Sequence, residues 1–426
     1  MQLSSGTDPP ASGTFGPRLA EWLPGGDGRR LFAVASVFFL ASGLSSTFVP
    51  IYLYGVGGDS LLFVLGVLTL VFLTLGVAPL LLQWRLASRF PRLLPSGILA
   101  LGAFQLSLPV LHLPVLLGLS WGLGLALFWP PFNTYLYSVT SGAKKIQEIT
   151  VIAVAIPALA GVAGPAIGGL IASTPGLGFH TIFLLAGGLF LAACLLSLQL
   201  PRLEEGHGGA AAPHALRVRG VSRFAIAYAL LGFTDTSWII YPLYLYALAG
   251  RSLLYLGLVV SAISLFGAFV SPLTARWADR QRTAWVPAML GYVVAAVTLL
   301  ALGTINELWQ AAVLGLAGCA GGLQVALLRA YTNLFPKGSL ASAATVREMS
   351  LNLGRLANVG FTFLLVGTAP LTLALFHRYY LAVGSLALSI PLWIAATRLQ
   401  APDPATGPLG SRVGAWARRF PIPGLR

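Results

Sequence analysis

Long apolar runs, separated by short polar or Pro- and Gly-rich breaks, make up most of the 426-residue chain. Within each run the apolar residues are continuous rather than alternating, which excludes the strands of a transmembrane β-barrel. Each run is close to the roughly 20 residues that a helix needs to cross a bilayer. The pattern predicts twelve membrane-spanning helices, at 31–54, 61–83, 93–112, 114–138, 149–173, 178–200, 223–248, 253–275, 283–303, 308–332, 346–368 and 372–397.

Three polar stretches flank or interrupt these runs. The first carries Asp8, Glu21 and Asp27, and no small-residue cleavage site follows an early apolar run, so it is interpreted as a cytoplasmic tail rather than a signal peptide. The predicted organisation is an N-terminal tail at 1–30, a six-helix bundle at 31–200, a cytoplasmic linker at 201–222, a second six-helix bundle at 223–397 and a basic cytoplasmic C-terminal tail at 398–426.

Composition supports a membrane protein, since 57% of the residues are hydrophobic and only 9% are charged. Soluble domains average about 45–50% apolar and about 25% charged residues. The difference excludes a soluble globular enzyme, a disordered chain and a secreted disulfide scaffold. The two cysteines, Cys194 and Cys319, lie in apolar runs and are too few for a disulfide framework or a zinc site.

The net charge of +14 would suggest a nucleic-acid partner in a soluble protein. With twelve spans, however, 23 of the 26 Lys and Arg residues fall on the side that holds both termini. The positive-inside rule places that side in the cytoplasm. We therefore expect a multi-pass protein of the cell membrane, plasma or inner, with both termini cytoplasmic. Its cations should meet anionic lipid head groups and not nucleic acid.

The two predicted bundles resemble each other in sequence. Residues 50–67 align with 242–259 at a shift of 192, with nine of eighteen positions identical, including one Pro, two Tyr, one Gly and one Ser. A second match, at a shift of 200, aligns 146–150 with 346–350. Duplicated six-helix units are typical of transporters, whose substrate path lies between the units near the middle of the membrane.

Three segments make the chain resemble the major facilitator superfamily. Ala275-Arg-Trp-Ala-Asp279-Arg280-Gln-Arg282 is similar to the family's G-x-x-x-D-R-x-G-R loop, and Gly164-Pro165-Ala-Ile-Gly168-Gly169 to its G-P-x-x-G-G signature. In the first bundle the loop equivalent is Trp84-Arg-Leu-Ala-Ser88-Arg89-Phe-Pro-Arg92, in which Ser88 replaces the Asp. The resemblance implies an all-α integral membrane protein of two pseudo-symmetric six-helix bundles that works as a transporter.

Charged residues near the predicted cytoplasmic helix ends are candidates for a gate. A carboxylate there can accept bonds from backbone N–H groups or from a cation, so Asp279 is predicted to latch the two bundles together, with a solvated topogenic loop as the alternative. The other charged gate candidates are Arg276, Arg280, Arg329, Arg347, Glu348 and Glu148.

The small residues of the Gly-Pro segment are conformational candidates too. Gly164, Gly168 and Gly169 let helix backbones approach closely, and Pro165 bends the helix. Plain helix packing is the alternative. In the resembling family the signature is associated with antiporters.

Two charges, Asp235 and Arg355, fall near the middle of predicted spans, where a charge costs on the order of 2.5–3.5 kcal/mol even on a lenient scale. Removal from water favours the neutral form of a carboxylate. Asp235 is therefore predicted to be the proton-coupling site or a contact for a substrate cation, with a satisfied structural acid as the alternative. Arg355 is predicted to bind an anionic substrate or to neutralise Asp235. Their counterparts in the repeat, Gly43 and Ala155, are uncharged.

Polar and aromatic groups along other spans complete the predicted pocket. Glu348, Asn352 and Arg355 share one helical face because they lie four and seven residues apart. Buried indole and amide groups need partners and prefer cavities. The further predicted substrate contacts are Asn133, Trp129, Trp238 and Gln324. No phosphate loop, zinc spacing or catalytic triad occurs, so neither a cofactor nor a metal is expected.

These features predict a monomeric secondary transporter that moves a small organic solute by alternating access and is coupled to protons. The direction of transport stays open between import and export. An amphiphilic organic anion, a drug or a sugar-like solute would each suit the pocket. The alternatives are a polytopic membrane enzyme, such as a lipid-linked transferase, and a non-transporting sensor or scaffold. The enzyme is disfavoured because the five His are scattered and the extracytoplasmic loops are short.

Overall fold

The computed structural model describes residues 27–140, 145–201, 215–216, 218–281, 283–335, 339–366 and 372–399. These residues form helices along all twelve predicted spans, and no strand occurs among them. The helices are α1 Asp27–Val56, α2 Leu61–Leu86, α3 Leu94–Ser107, α4 Pro114–Val139, α5 Ile146–Ser173, α6 Gly178–Ser197, α7 Val221–Leu248, α8 Leu253–Asp279, α9 Trp285–Leu302, α10 Gly315–Thr332, α11 Leu340–Val366 and α12 Leu373–Thr397.

The predicted all-helical membrane architecture is confirmed. Within the described part of the chain, ten helices are long and apolar enough to cross a membrane, and the two others are α3 and α10. The α3 helix has 14 residues and is followed by Pro109, whose ring cannot continue a helical hydrogen-bond ladder. The α10 helix follows a 3-10 segment, Leu308–Leu314, where hydropathy predicts one continuous helix over 308–332.

Three of the helices are interrupted. The α1 helix breaks after Ser45 and resumes at Val49, and α12 breaks after Ala387 and resumes at Ser389. In α5, a π-helical segment at Val151–Ala155 separates a first turn from the main helix. Such segments widen a helix locally and are frequent at functional sites.

Helix neighbours recur in the two parts of the chain, which we call the N-half (α1–α6) and the C-half (α7–α12). In the N-half, α1 packs on α5 and α6, α4 on α2 and α3, and α3 on α6. In the C-half, α7 packs on α11 and α12, α10 on α8 and α9, and α9 on α12. Each C-half pair is the N-half pair moved on by six helices, as expected when two copies of one unit fold alike.

The main contacts between the halves follow the same rule. The α5 helix packs on α8, and α11 packs on α2. These two interfaces are counterparts in the repeat.

Candidate functional site

A cavity of about 320 Å³ lies between the halves. Its walls come from α4 and α5 of the N-half and from α7, α9, α10 and α11 of the C-half. Two residues of the π-helical segment of α5, Ala153 and Val154, belong to the lining. The structure brings six of the predicted site and gate residues to this cavity: Trp129, Asn133, Gln324, Arg347, Glu348 and Arg355.

Glu348 joins the two halves at the cavity wall. Its side chain is almost completely buried, and its Oε1 accepts hydrogen bonds from Arg347 Nη1 at 2.8 Å and from Asn133 Nδ2 at 3.1 Å. Asn133 lies on α4, so that bond crosses between the halves. The two residues predicted separately as gate and substrate contacts therefore form one hydrogen-bonded group.

Asp235 and Arg355 form an ion pair inside the C-half. Arg355 donates from Nε to Asp235 Oδ2 at 2.9 Å and contacts the same oxygen through Nη2. Its Nη1 donates to Asn352 Oδ1 at 3.1 Å, and Asn352 in turn donates to the Glu348 carbonyl at 2.7 Å. Both charged partners belong to the same half, so a rocking motion of the halves need not break the pair.

The Arg355 guanidinium also faces the N-half. It lies 5.7 Å from the centre of the Phe72 ring on α2. A guanidinium over an aromatic face is attracted by the ring quadrupole. The ion pair thus sits at the α2–α11 interface although neither of its members belongs to the N-half.

Asp279 links the end of α8 to the first turn of α5. Its Oδ1 accepts from the backbone N–H of Ile146 at 3.1 Å, and its Oδ2 accepts from that of Gln147 at 2.8 Å. Arg329 Nη1 donates to Oδ1 at 3.1 Å. The first backbone N–H groups of a helix have no partner within it, and a carboxylate there is favoured by the helix dipole. We call this side of the bundle the Asp279 end.

Three further charged gate candidates lie close to this contact in the chain. Arg276 and Arg280 flank Asp279 and are exposed, and Glu148 is half-buried in the first turn of α5.

A further polar bond between the halves was missed by the sequence reasoning. Gln83 Nε2, near the end of α2, donates to Ser342 Oγ, near the start of α11, at 2.8 Å, and both side chains are buried. This interface is the repeat counterpart of the Asp279 contact. The available signal was Gln83 itself, an amide inside an otherwise apolar predicted span.

The opposite side, which we call the Asp59 end, carries an exposed ion pair between the halves. Arg251 Nη1 lies 3.5 Å from Asp59 Oδ2. Asp59 belongs to the turn between α1 and α2, and Arg251 to the turn between α7 and α8.

The glycines of the α5 signature serve two different interfaces. Gly164 and Gly168 face α1: a Cβ at Gly164 would lie 2.3 Å from the carbonyl carbon of Gly43. Gly169 faces α8, where a Cβ would lie 2.7 Å from the carbonyl oxygen of Leu253. Pro165 also reaches α8, because its carbonyl oxygen would lie 2.2 Å from a Cβ on Gly257. Part of the signature therefore sets the distance between the halves.

Some of the predicted residues lie outside the described part of the chain. These are the side chains of Trp84, Ser88, Arg89, Trp238 and Cys319, the whole of Arg282, and most of the two predicted tails and the linker.

The comparison with known proteins agrees with this architecture. The sequence profile of the Major Facilitator Superfamily matches residues 31–359, about three quarters of the chain. No curated protein sequence matches the chain at a significant level. The matched region contains nearly all of α1, the whole of α2 to α10, most of α11 and every residue of the cavity lining. The chain is a multi-pass membrane transporter and belongs to the Major Facilitator Superfamily.

Proposed function

We propose that this transporter moves a small organic solute through the central cavity by alternating access and couples the movement to protons. The observation that supports this most is the cavity lying between the halves, with polar contacts between the halves at both of its ends. Alternate opening of the Asp279 end and the Asp59 end would expose the same cavity to the two sides of a membrane. The positive-inside rule supports a cytoplasmic Asp279 end in a cell membrane, with both termini on that side.

Asp235 is the proposed proton site. Protonation would remove the negative charge that holds the Arg355 guanidinium and would free that cation to rearrange against Phe72 and Asn352. A proton taken up at this place is thereby coupled to the α2–α11 interface between the halves. The glycine signature of α5 favours exchange of a proton for the solute, which in a cell membrane means export.

Flux in reconstituted proteoliposomes tests this function. A set of small organic anions, sugars and drug-like cations is first screened for thermal stabilisation of the purified chain at two pH values. The best stabiliser is then followed as flux under an imposed pH gradient, with wild type and Asp235→Asn. We expect the variant to keep substrate binding and to lose gradient-driven accumulation. Accumulation that is unchanged in Asp235→Asn would contradict the proton role, and binding without any flux would favour a sensor.

A further inference from the structure

We infer that the central cavity recognises its solute through one anionic group, a carboxylate held by Arg347, while the apolar body of the solute packs against Trp129 and the aliphatic wall. The inference rests on the proposed function in one respect only, namely that the cavity is the solute path. It assigns to Arg347 a role in binding, where the sequence suggests a gate.

Arg355, the arginine that the sequence favours for an anion, already has a partner at each of its three guanidinium nitrogens. Its Nε and Nη2 bind Asp235, and its Nη1 binds Asn352. An anionic solute would have to displace a carboxylate from Arg355 before binding there. This arginine is therefore a poor first contact in the described state.

Arg347 keeps one donor without a partner. The residue lines the cavity, its Nη1 donates to Glu348 Oε1, and its Nε is buried with no hydrogen-bond partner. A buried donor without a partner costs free energy, of order 1–3 kcal/mol, and a ligand that supplies an acceptor recovers it. A carboxylate matches the fork of a guanidinium with two parallel hydrogen bonds.

Tyrosines surround this arginine and supply further donors. Tyr137, Tyr228 and Tyr292 lie within electrostatic reach of Arg347, one each from α4, α7 and α9. The Arg347 Cζ atom lies 5.4 Å from the centre of the Tyr228 ring, and the Tyr228 hydroxyl is buried with no hydrogen-bond partner. Tyr228 also lines the cavity. This hydroxyl belongs to a ring that packs on the guanidinium, and we assign it as a second donor for the same acceptor.

The rest of the wall favours a compact apolar body. Trp129, Leu231 and Val325 are among the lining residues, together with several other aliphatic side chains. A cavity of about 150 Å³ accommodates benzene, so the 320 Å³ observed here has room for a fused bicyclic ring. The chemical class is thus an aromatic or similarly apolar monocarboxylate.

Binding of 2-naphthoate to the full-length purified chain, with 2-naphthamide as its neutral isostere, tests the assignment by titration calorimetry. We expect wild type to bind the carboxylate at least tenfold tighter than the amide, and Arg347→Gln to abolish that preference. Glu348→Gln should bind 2-naphthoate tighter than wild type, because Arg347 is then no longer shared with a protein carboxylate. Arg378→Gln, at an exposed position of α12, is the matched control and should bind like wild type.

Four results would overturn the assignment. Two concern wild type, namely equal binding of the two probes or no saturable binding of either. The other two are unchanged 2-naphthoate binding in Arg347→Gln, and 2-naphthoate binding in Glu348→Gln that is as weak as in Arg347→Gln. The wild-type comparison needs no variant, so a misfolded Arg347→Gln does not remove the test. Carboxylate binding without flux would refute the proposed transport and leave this site standing. Proton-driven flux of an uncharged solute that Arg347→Gln does not change would support the proposed transport and refute the carboxylate site.

Discussion

Asp59 and Arg251 are counterparts in the internal repeat and also contact each other, with Arg251 Nη1 3.5 Å from Asp59 Oδ2. Each follows a glycine in a turn of matching shape, with φ of 58° at Asp59 and 66° at Arg251. Equivalent residues of a two-fold repeat can touch only near its axis. An unchanged duplicate would place like charges there, so the change of one residue to the opposite sign converts a repulsion between the halves into an attraction.

Charge reversal at this pair should open the Asp59 end. Both side chains are more than half exposed, so the pair is worth only about 0.2–1 kcal/mol, and the effect is a shift in population rather than unfolding. Asp59→Arg should lengthen the distance between spin labels at Val56→Cys and Leu248→Cys in a background without Cys194 and Cys319.

The double reversal Asp59→Arg/Arg251→Asp is the control for that experiment and should restore the wild-type distance. The increase in spin-label distance caused by Asp59→Arg should also be smaller in 1 M salt, because the Debye length there is about 3 Å and the repulsion is screened. A distance that the single reversal leaves unchanged would show that the pair does not hold this end.

Loss of the Asp279 carboxylate should open the opposite end. Asp279→Ala leaves two backbone N–H groups of α5 and the Arg329 guanidinium without their acceptor. Hydrogen bonds to charged groups are worth about 1.5–3 kcal/mol each. We expect a lower thermal midpoint and faster maleimide labelling of a cysteine at Ala153 in the cavity wall. Arg280→Gln, at the exposed neighbouring position, should change neither, and equal labelling in both variants would refute the latch.

Asp235 and Arg355 should be thermodynamically coupled. Removing one partner of a fully buried pair costs about 3–5 kcal/mol, and the cost here should be smaller because about a third of the Asp235 side chain is exposed. Asp235→Asn and Arg355→Gln should each lower the thermal midpoint. The thermal midpoint of the double variant should fall by less than the sum of the two single decreases, because no charge is left unpaired. Strictly additive losses would mean that the two side chains do not stabilise each other.

A methyl group at Gly257 should separate α5 from α8. Its Cβ would lie 2.2 Å from the Pro165 carbonyl oxygen, so the helices must move apart. Gly257→Ala should lower the thermal midpoint and slow transport. Gly360→Ala on α11 is the matched control, since its Cβ meets no atom within 4 Å, and it should be neutral or stabilising through helix propensity. Wild-type behaviour of Gly257→Ala would show that the α5–α8 contact tolerates expansion.

The sequence predicted correctly the properties that depend on residues close together along the chain, above all the positions of the helices. The length and apolarity of each run predict its span, since the cost of placing a helix in a membrane adds up along that helix. It was less accurate for α10, where the first seven residues of the predicted span form a 3-10 segment. Hydropathy does not distinguish an α-helix from other apolar backbone.

The candidate site could be predicted in part. The spacing of Glu348, Asn352 and Arg355 places them along one face of α11, and the structure connects them by hydrogen bonds. The sequence could not show that Arg355 is occupied and that Arg347 has a free buried donor, because the partner of Arg355 is 120 residues away.

The sequence by itself determined the all-helical membrane character, the twelve helices and the duplication, because hydrophobicity and repeat similarity are properties of the chain that need no contact. Only the tertiary structure decided which charges pair within one half, which bonds join the halves and which glycines face α1 or α8. Those outcomes depend on distances between residues far apart in sequence, such as the 2.8 Å between Asp279 Oδ2 and the backbone nitrogen of Gln147. Short-range sequence patterns do not predict such distances.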